Sequence, residues 1–273
     1  MSLARAARLR ALRARLSAYE PALHKGRTFR FADERIDGCF PAGGLPRGCW
    51  HELEGAGAEA DDAGLAAAFA GRLAAGLAGT GEAVWVLRRD DLYAPALAEL
   101  GIAPGRLIVV RTRSEAETLA AVEDALGTRG VSVVVGEVER VELTAGRRLQ
   151  LACERRGVTA LLVKRRLFGK AAGAPARAEP AVAASRWRIS PWASEPLPGE
   201  PGLGPPRWRL ELLRARGGRP GQWIVETPEV GFDGDVQNGA VPFRVVAELA
   251  DHQLAAPEPG DRNDVAPLRR GAG

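Results

Sequence analysis

The stretch GGLPRGCWHELEG, residues 43–55, combines a glycine- and proline-rich turn, a short strand and a closing glycine. A phosphate-binding loop continues from such a glycine with four variable residues, then Gly-Lys-Ser/Thr and a helix. In this chain Ala60, Asp61 and Asp62 occupy those last three positions. Two carboxylates therefore stand where a lysine would neutralise phosphate, and like charges repel at short range. The stretch predicts a nucleotide-binding fold that does not use ATP in the ordinary way.

An ATPase also needs an acid for magnesium at the end of a neighbouring strand. After the apolar run 133–135 that place is held by Gly136. Glu137 comes one residue later, and a slip of one residue turns a strand side chain to the other face. Asp90 stands near the place of a water-activating carboxylate but lacks the other two groups. We therefore predict no catalytic residue, no metal site and no cofactor.

Weak nucleotide binding through backbone amides stays open, because helix N-termini attract anions. The alternative is that Asp61 and Asp62 only favour a helix N-terminus through its dipole. The candidate loop, which we expect to be degenerate and not functional, consists of Gly55, Gly57, Ala60, Asp61 and Asp62.

Composition indicates a globular protein without a membrane span. Apolar residues make up 46% of 273, aromatic residues only 5%, and no apolar run approaches the length of a membrane helix. The three cysteines are widely spaced and form no Cys-x-x-Cys pair, which favours a reduced, cytoplasmic protein without a zinc site. No serine lies in a Gly-x-Ser-x-Gly elbow, so hydrolase chemistry has no support.

Net charge is only +4, but it is unevenly distributed. Residues 1–30 carry eight Lys/Arg against Glu20 alone. Within them, residues 3–18 have the spacing of an amphipathic helix whose apolar stripe needs a partner, either the body of the chain or another protein. Basic segments can follow phosphates, and the alternative is that the arginines are simply solvated.

Apolar strands alternate with helical patterns from residue 49 to residue 163. The pattern predicts strands at 49–53, 83–87, 107–110, 131–135 and 159–163. Helices are predicted at 63–78 and 93–100, from a Ser114-x-x-Glu117 capping box, and from Thr144 to Arg156. This alternation predicts an α/β fold with a mostly parallel sheet flanked by helices.

The pattern changes beyond residue 185. Segments 187–189, 208–213 and 223–226 have strand character, while 191–206 contains six prolines and predicts a loop. They predict antiparallel strands added to the parallel sheet. We divide the chain into an N-terminal amphipathic helix (1–22), a core (23–230) and a largely disordered C-terminal extension (231–273).

The order of these segments resembles the RecA-like recombinase core over about residues 28–226. The Gly-Gly-Leu-Pro-x-Gly turn is 43–48; a strand at 84–87, the acids Asp90 and Asp91, and a helix ending in Leu100-Gly101 follow. This resemblance implies a RecA-like fold whose phosphate loop is degenerate.

The chain also resembles the ImuA family, the RecA-like accessory proteins of bacterial mutagenesis cassettes. The segments that carry this resemblance are 91–95, 143–152 and 208–221, the last being long and unusual. It implies SOS-induced, error-prone translesion synthesis after DNA damage. The implied partners are ImuB, an inactive Y-family polymerase relative, and an error-prone DNA polymerase, with RecA as a further candidate.

Two other functions remain open at this stage. One is a divergent ATP-dependent RecA-like DNA-binding protein, which nucleotide binding would favour. The other is an SOS cell-division inhibitor of the same fold, although the chain is larger than such an inhibitor needs to be.

Two groups of residues are candidates for contact with partners or DNA. The N-terminal group lies on the predicted helix and the other on or just after the strand at 208–213, where a solvated basic edge strand is the alternative. Lys164, Arg165 and Arg166 could extend the second group. The candidates are Arg5, Arg8, Leu9, Leu12, Leu16, Arg209, Arg214, Arg216 and Arg219.

Overall fold

The computed structural model describes residues 28–57, 59–165, 182–196, 199, 202–227 and 243–249, without the side chains of 59–63. The N-terminal helix predicted at 3–18 and most of the C-terminal extension predicted at 231–273 lie outside these residues. Within them, no helix combines the length and apolarity that crossing a membrane requires.

Helices and strands alternate along the described chain. The helices are Glu34–Asp37 (α1), Glu59–Ala78 (α2), Ala94–Glu99 (α3), Glu115–Leu126 (α4) and Leu143–Arg156 (α5), with a 3-10 turn at Pro104–Arg106. The strands are Thr28–Phe29 (β1), Leu45–Pro46 (β2), Trp50–Gly55 (β3), Glu82–Leu87 (β4), Leu107–Arg111 (β5), Val131–Val138 (β6), Thr159–Lys164 (β7), Ser185–Trp192 (β8), Arg207–Ala215 (β9), Gly221–Glu226 (β10) and Arg244–Glu248 (β11).

Nine strands form one sheet in the order β11-β10-β9-β8-β3-β7-β6-β4-β5, and β1 pairs with β2 in a small separate sheet. The six strands from β8 to β5 run parallel, and β9, β10 and β11 continue the sheet in antiparallel pairs. The predicted fold class, a mostly parallel sheet with C-terminal antiparallel strands, is confirmed. β11 lies in the predicted C-terminal extension and pairs with β10.

Helices cover the parallel strands on both faces, which explains their continuous apolar runs. On one face α2 buries Phe69, Leu73 and Leu77 at spacings of four residues. On the opposite face α4 buries Val122 and Leu126. We call these the α2 face and the α4 face.

Local signals explain most helix boundaries. The Ser114 hydroxyl accepts a hydrogen bond from the Glu117 N–H at 3.2 Å, as the capping box predicts. Gly157 ends α5 with φ 70°, a left-handed conformation that favours glycine. The predicted helix start at Thr144 is displaced, because the N-cap of α5 is Glu142.

An aromatic cluster fills the α2 face at the start of the antiparallel strands. Trp187 on β8 is fully buried, with ring centroids 5.5 Å from Phe31, 5.5 Å from Phe69 and 6.3 Å from Trp223. Its indole N–H donates to the Ser185 hydroxyl at 2.9 Å. The Trp187 ring on β8 thus contacts the segment after β1, helix α2 and strand β10, so the antiparallel half of the sheet depends on it.

Replacing Trp187 with alanine should lower the free energy of unfolding by about 3–5 kcal/mol, because it opens a large cavity in a close-packed cluster. Trp192 lies on the same strand and is 40% exposed. Its replacement with alanine is the matched control and should cost about 1 kcal/mol or less. Urea unfolding followed by circular dichroism measures both, and equal losses would contradict the central role of Trp187.

Candidate functional site

The connection from β3 to α2 is short. β3 ends at Gly55 and α2 begins at Glu59, so only three residues lie between the strand and the helix. The Ala56 N–H donates to the carbonyl of Ile189 at 2.9 Å, which ties the connection to β8. Glu59, the last of the four variable residues in the motif, is already helical. The candidate loop therefore has little backbone outside the helix with which to surround a phosphate.

The backbones of Ala60, Asp61 and Asp62 lie in the first turns of α2. Acidic residues near a helix N-terminus are stabilised by its dipole, which is the alternative the sequence left open. Gly55 belongs to β3 and Gly57 to the connection. The structure thus places the predicted loop residues at one strand-to-helix junction, and their binding capacity stays a prediction.

Glu137 occupies a different position from the one that the sequence predicted. β6 does not break at Gly136 but continues to Val138. A Cβ on Gly136 would lie 2.7 Å from a methyl group of Val122 on α4, so Gly136 faces the α4 side. Glu137 therefore points to the α2 face, where it contacts Trp85 of β4. The expectation that its side chain turns away from the site was wrong.

Both carboxylate oxygens of Glu137 have partners. Oε1 accepts from the indole N–H of Trp85 on β4 at 2.9 Å, and Oε2 accepts from Nη1 of Arg165 at 2.6 Å. Nη2 of Arg165 donates to Asp91 at 2.5 Å. Nothing in the sequence signals this cluster beyond the one-residue offset of Glu137, because β4, β6 and the end of β7 meet only in the folded sheet.

Burial sets the electrostatics of the cluster. Glu137 is 3% exposed, and its burial raises the pKa of the carboxyl above its ordinary value. Arg165 and the Trp85 N–H act in the opposite direction, because both stabilise the carboxylate. An arginine in contact with a buried acid satisfies it with charge-assisted hydrogen bonds. The acid at the carboxyl edge is therefore part of a closed structural pair.

A hollow of about 290 Å³ lies beside this pair, between α2 and α3. Ala67, Leu97 and Leu100 are among its apolar lining residues, and Glu137 and Arg165 contribute its polar part. The hollow lies where ligands bind in open α/β sheets, outside the carboxyl ends of the strands.

The described residues hold no group of three or more His, Cys, Asp or Glu that could bind a metal ion. Magnesium is bound through carboxylate oxygens and water, and a guanidinium 2.6 Å from Glu137 competes for that carboxylate. Asp90 is exposed and pairs with Arg111 at 2.6 Å. The arrangement suits structural pairing rather than metal-assisted hydrolysis.

A buried Cys–His–Ser cluster lies at the other end of β3. His51 contacts the Ser185 hydroxyl at 2.7 Å, the Pro46 carbonyl at 2.9 Å and the Cys49 sulfur at 3.5 Å. Burial raises the pKa of the Cys49 thiol far above its ordinary value, and that of Cys153 to about 12. A thiolate is needed for nucleophilic attack, so these cysteines are inert core residues.

The candidate arginines near β9 do not form one basic edge. β9 lies between β8 and β10, so the alternative of a solvated edge strand was wrong. Arg209 pairs with Glu211 at 2.6 Å, and Arg216 donates to the Val182 carbonyl. Arg214 is exposed at the end of β9, and Arg219 is exposed in the following turn.

Ion pairs instead cross the sheet on the α4 face, beyond the strands that α4 covers. Glu52 on β3 lies 2.5 Å from Lys164 on β7 and 2.9 Å from Arg186 on β8. Glu54 pairs with Arg188 at 2.9 Å. These cross-strand pairs use lysine and arginine charges that the sequence offered for phosphate contact.

The same alternation continues through the antiparallel strands. Arg207 on β9 pairs with Glu226 on β10 at 2.7 Å, and Glu226 also pairs with Arg244 on β11. The Gln222 side chain accepts a hydrogen bond from Arg209 at 3.1 Å. Lys164 belongs to this face and Arg165 to the opposite one, so they do not extend one patch. Arg166 lies outside the described residues, as do Arg5, Arg8, Leu9, Leu12 and Leu16.

Comparison with known proteins gives a close match over most of the chain. Over 235 residues, the chain is 52% identical to the protein ImuA of Caulobacter vibrioides in each of two strains, NA1000 / CB15N and ATCC 19089 / CIP 103742 / CB 15. The match covers 85% of this chain and 94% of each relative. No protein-family model matches the chain.

Among solved structures, SulA from Pseudomonas aeruginosa aligns with a TM-score of 0.37 and 18% identity. The alignment covers 43% of this chain and 98% of the SulA chain. A likeness of this extent carries no argument about function.

Replacing Arg165 with alanine should destabilise the protein by about 3–5 kcal/mol, because it leaves a buried carboxylate without its counter-charge. Changing both partners, Glu137→Gln with Arg165→Met, should recover most of that loss, since no unpaired charge remains. Arg111→Ala breaks an exposed pair and should cost at most about 1 kcal/mol. Urea unfolding measures all three, and a small effect of Arg165→Ala would show that the pair is not structural.

Proposed function

The chain belongs to the ImuA family, and we propose that it is a non-catalytic accessory protein of SOS-induced, error-prone translesion DNA synthesis. The family resemblance found in the sequence agrees with 52% identity over 85% of the chain. The observation that carries the non-catalytic part is the Glu137–Arg165 pair at the carboxyl edge of the sheet. A protein whose edge is closed in this way acts through binding rather than turnover.

Three features argue together against ATP hydrolysis. The motif has Asp61 where a phosphate loop has lysine. Only three residues separate β3 from α2. The acid nearest to the place of a magnesium ligand is Glu137, whose oxygens are both engaged. Phosphoryl transfer relies on positioned positive charge and metal, and the described residues at this edge offer neither in an available form.

The proposed partners follow from family membership. They are an ImuB-type inactive Y-family polymerase relative and an error-prone DNA polymerase, with RecA as a further candidate. Direct DNA contact is the weaker part of the proposal, because several arginines near β9 and β8 are paired with carboxylates. The protein is proposed to work in the cytoplasm.

The purified protein should bind no ATP at millimolar concentration and show no turnover with single-stranded DNA. Titration with a fluorescent nucleotide measures binding, and phosphate release measures turnover. An active RecA-type recombinase is the positive control in both assays. The variant Asp61→Lys with Asp62→Thr restores the motif's charge and hydroxyl. It should still not hydrolyse ATP, because the Glu137–Arg165 pair and the short connection remain. DNA-stimulated turnover by either protein would contradict the proposal.

The N-terminal segment and the C-terminal tail are proposed as partner-binding arms, because the first has an apolar stripe ahead of the core and the second is rich in proline, glycine and aspartate. The tail deletion should begin after Leu249, since β11 belongs to the sheet. Removing residues 1–22, or residues 250–273, should raise the Kd for at least one partner by about tenfold or more. Biolayer interferometry measures these affinities. If both deletion variants bind every partner with wild-type affinity, the two segments are not partner-binding arms.

A further inference from the structure

Helix α5 presents two leucines outward. Its inward side buries Leu149 and Cys153 against the α4 face of the sheet. Leu143 and Leu151, by contrast, are 42% and 55% exposed. They contribute little to the core, so their apolar surface is available to something outside it.

Arginines alternate with these leucines. Leu143, Arg147, Leu151 and Arg155 follow one another at intervals of four residues, so they form one stripe along the helix. Both arginines are exposed. We call these four residues the α5 stripe.

A groove of about 630 Å³ lies beside the stripe, between α4 and α5. Leu151, Ala152 and Arg155 line it from α5, and Glu123 and Asp124 line it from α4. Within the groove, Arg148 pairs with Glu123 at 2.5 Å. A recess of this size next to an exposed leucine can take an apolar side chain from another molecule.

The chemistry of this surface favours a protein over a nucleic acid. Arg148, Arg155 and Arg156 line the groove against only two acids, Glu123 and Asp124, so its charge is net positive and suits an acidic occupant. Exposed leucines gain from burial against apolar side chains, whereas phosphates and sugars give them no such partner. Single exposed leucines are ordinary on protein surfaces. Here two of them alternate with arginines along one helix and adjoin a groove, so they form a connected surface.

We propose that the α5 stripe and its groove dock an acidic, leucine-bearing amphipathic helix of a partner in the mutagenesis complex. Acidic residues of that helix would pair with Arg147 and Arg155, and its apolar residues would lie against Leu143 and Leu151. A helix repeats its surface every three to four residues, which matches the spacing of the stripe. This inference rests on the proposed function as a binding protein.

Binding of the full-length protein to the ImuB-type partner and to the error-prone polymerase is measured separately by biolayer interferometry. For the partner that docks here, Leu143→Ala with Leu151→Ala should raise Kd by about tenfold, and Arg147→Glu with Arg155→Glu by about tenfold or more. The leucine variant keeps its core, so its unfolding midpoint should not fall. The controls, Leu203→Ala and Arg111→Glu, change exposed residues of the same types elsewhere and should leave Kd unchanged.

A photo-crosslinking amino acid at position 151 identifies the occupant. The expected product is a cross-link to a partner segment with acidic and apolar residues in helical spacing. Cross-linking to added single-stranded DNA, or to a basic segment, would overturn the inference. If the wild type binds a partner and both stripe variants bind it with the same affinity, the docking inference is wrong but the proposed function stands. Failure of the wild type to bind either partner would overturn the proposed function and this inference together.

Discussion

The buried carboxylate of Glu137 is the constraint on which the carboxyl edge of the sheet depends. A charge removed from water must be matched, and here the match comes from Arg165 at the end of β7 and from Trp85 on β4. Arg165 in turn holds Asp91 in the segment after β4. One acid therefore links β4, β6 and the end of β7. The residues that hold this edge together are the residues that would otherwise be available for chemistry there.

Much of the fold could be predicted because it rests on local patterns. Apolar runs bounded by glycine give the parallel strands, and the Ser114 cap and Gly157 stop give the boundaries of α4 and α5. The side to which Glu137 points could not be predicted, because it depends on whether β6 continues through Gly136. The missing Cβ there accommodates Val122 of α4 rather than ending the strand. The face to which Glu137 points is therefore set by the packing of Gly136 against Val122, which sequence spacing does not reveal.

The arginine-rich composition illustrates the same limit on the α4 face. From sequence, Arg186, Arg188 and Arg209 are equally suited to phosphate and to carboxylate partners. Strand register decides between them, because it places Glu52 beside Arg186 and Glu54 beside Arg188. Glu52 is buried, so its carboxylate needs these cationic partners. Their effect is to satisfy the charges on a broad sheet face, which leaves fewer cations for DNA than the sequence suggests.

The paired charges at the carboxyl edge of the sheet and the exposed residues of α5 have one explanation. In an α/β sheet, ligand chemistry concentrates where strand ends leave polar groups unsatisfied. In this protein Glu137, Arg165 and Asp91 satisfy one another at that edge, while α5 retains exposed leucines and arginines that the fold does not need. The proposed binding surface therefore lies on the outer side of a helix rather than in the cleft. A scaffold is free to dispense with a catalytic cleft, provided that a surface of this kind remains exposed to its partners.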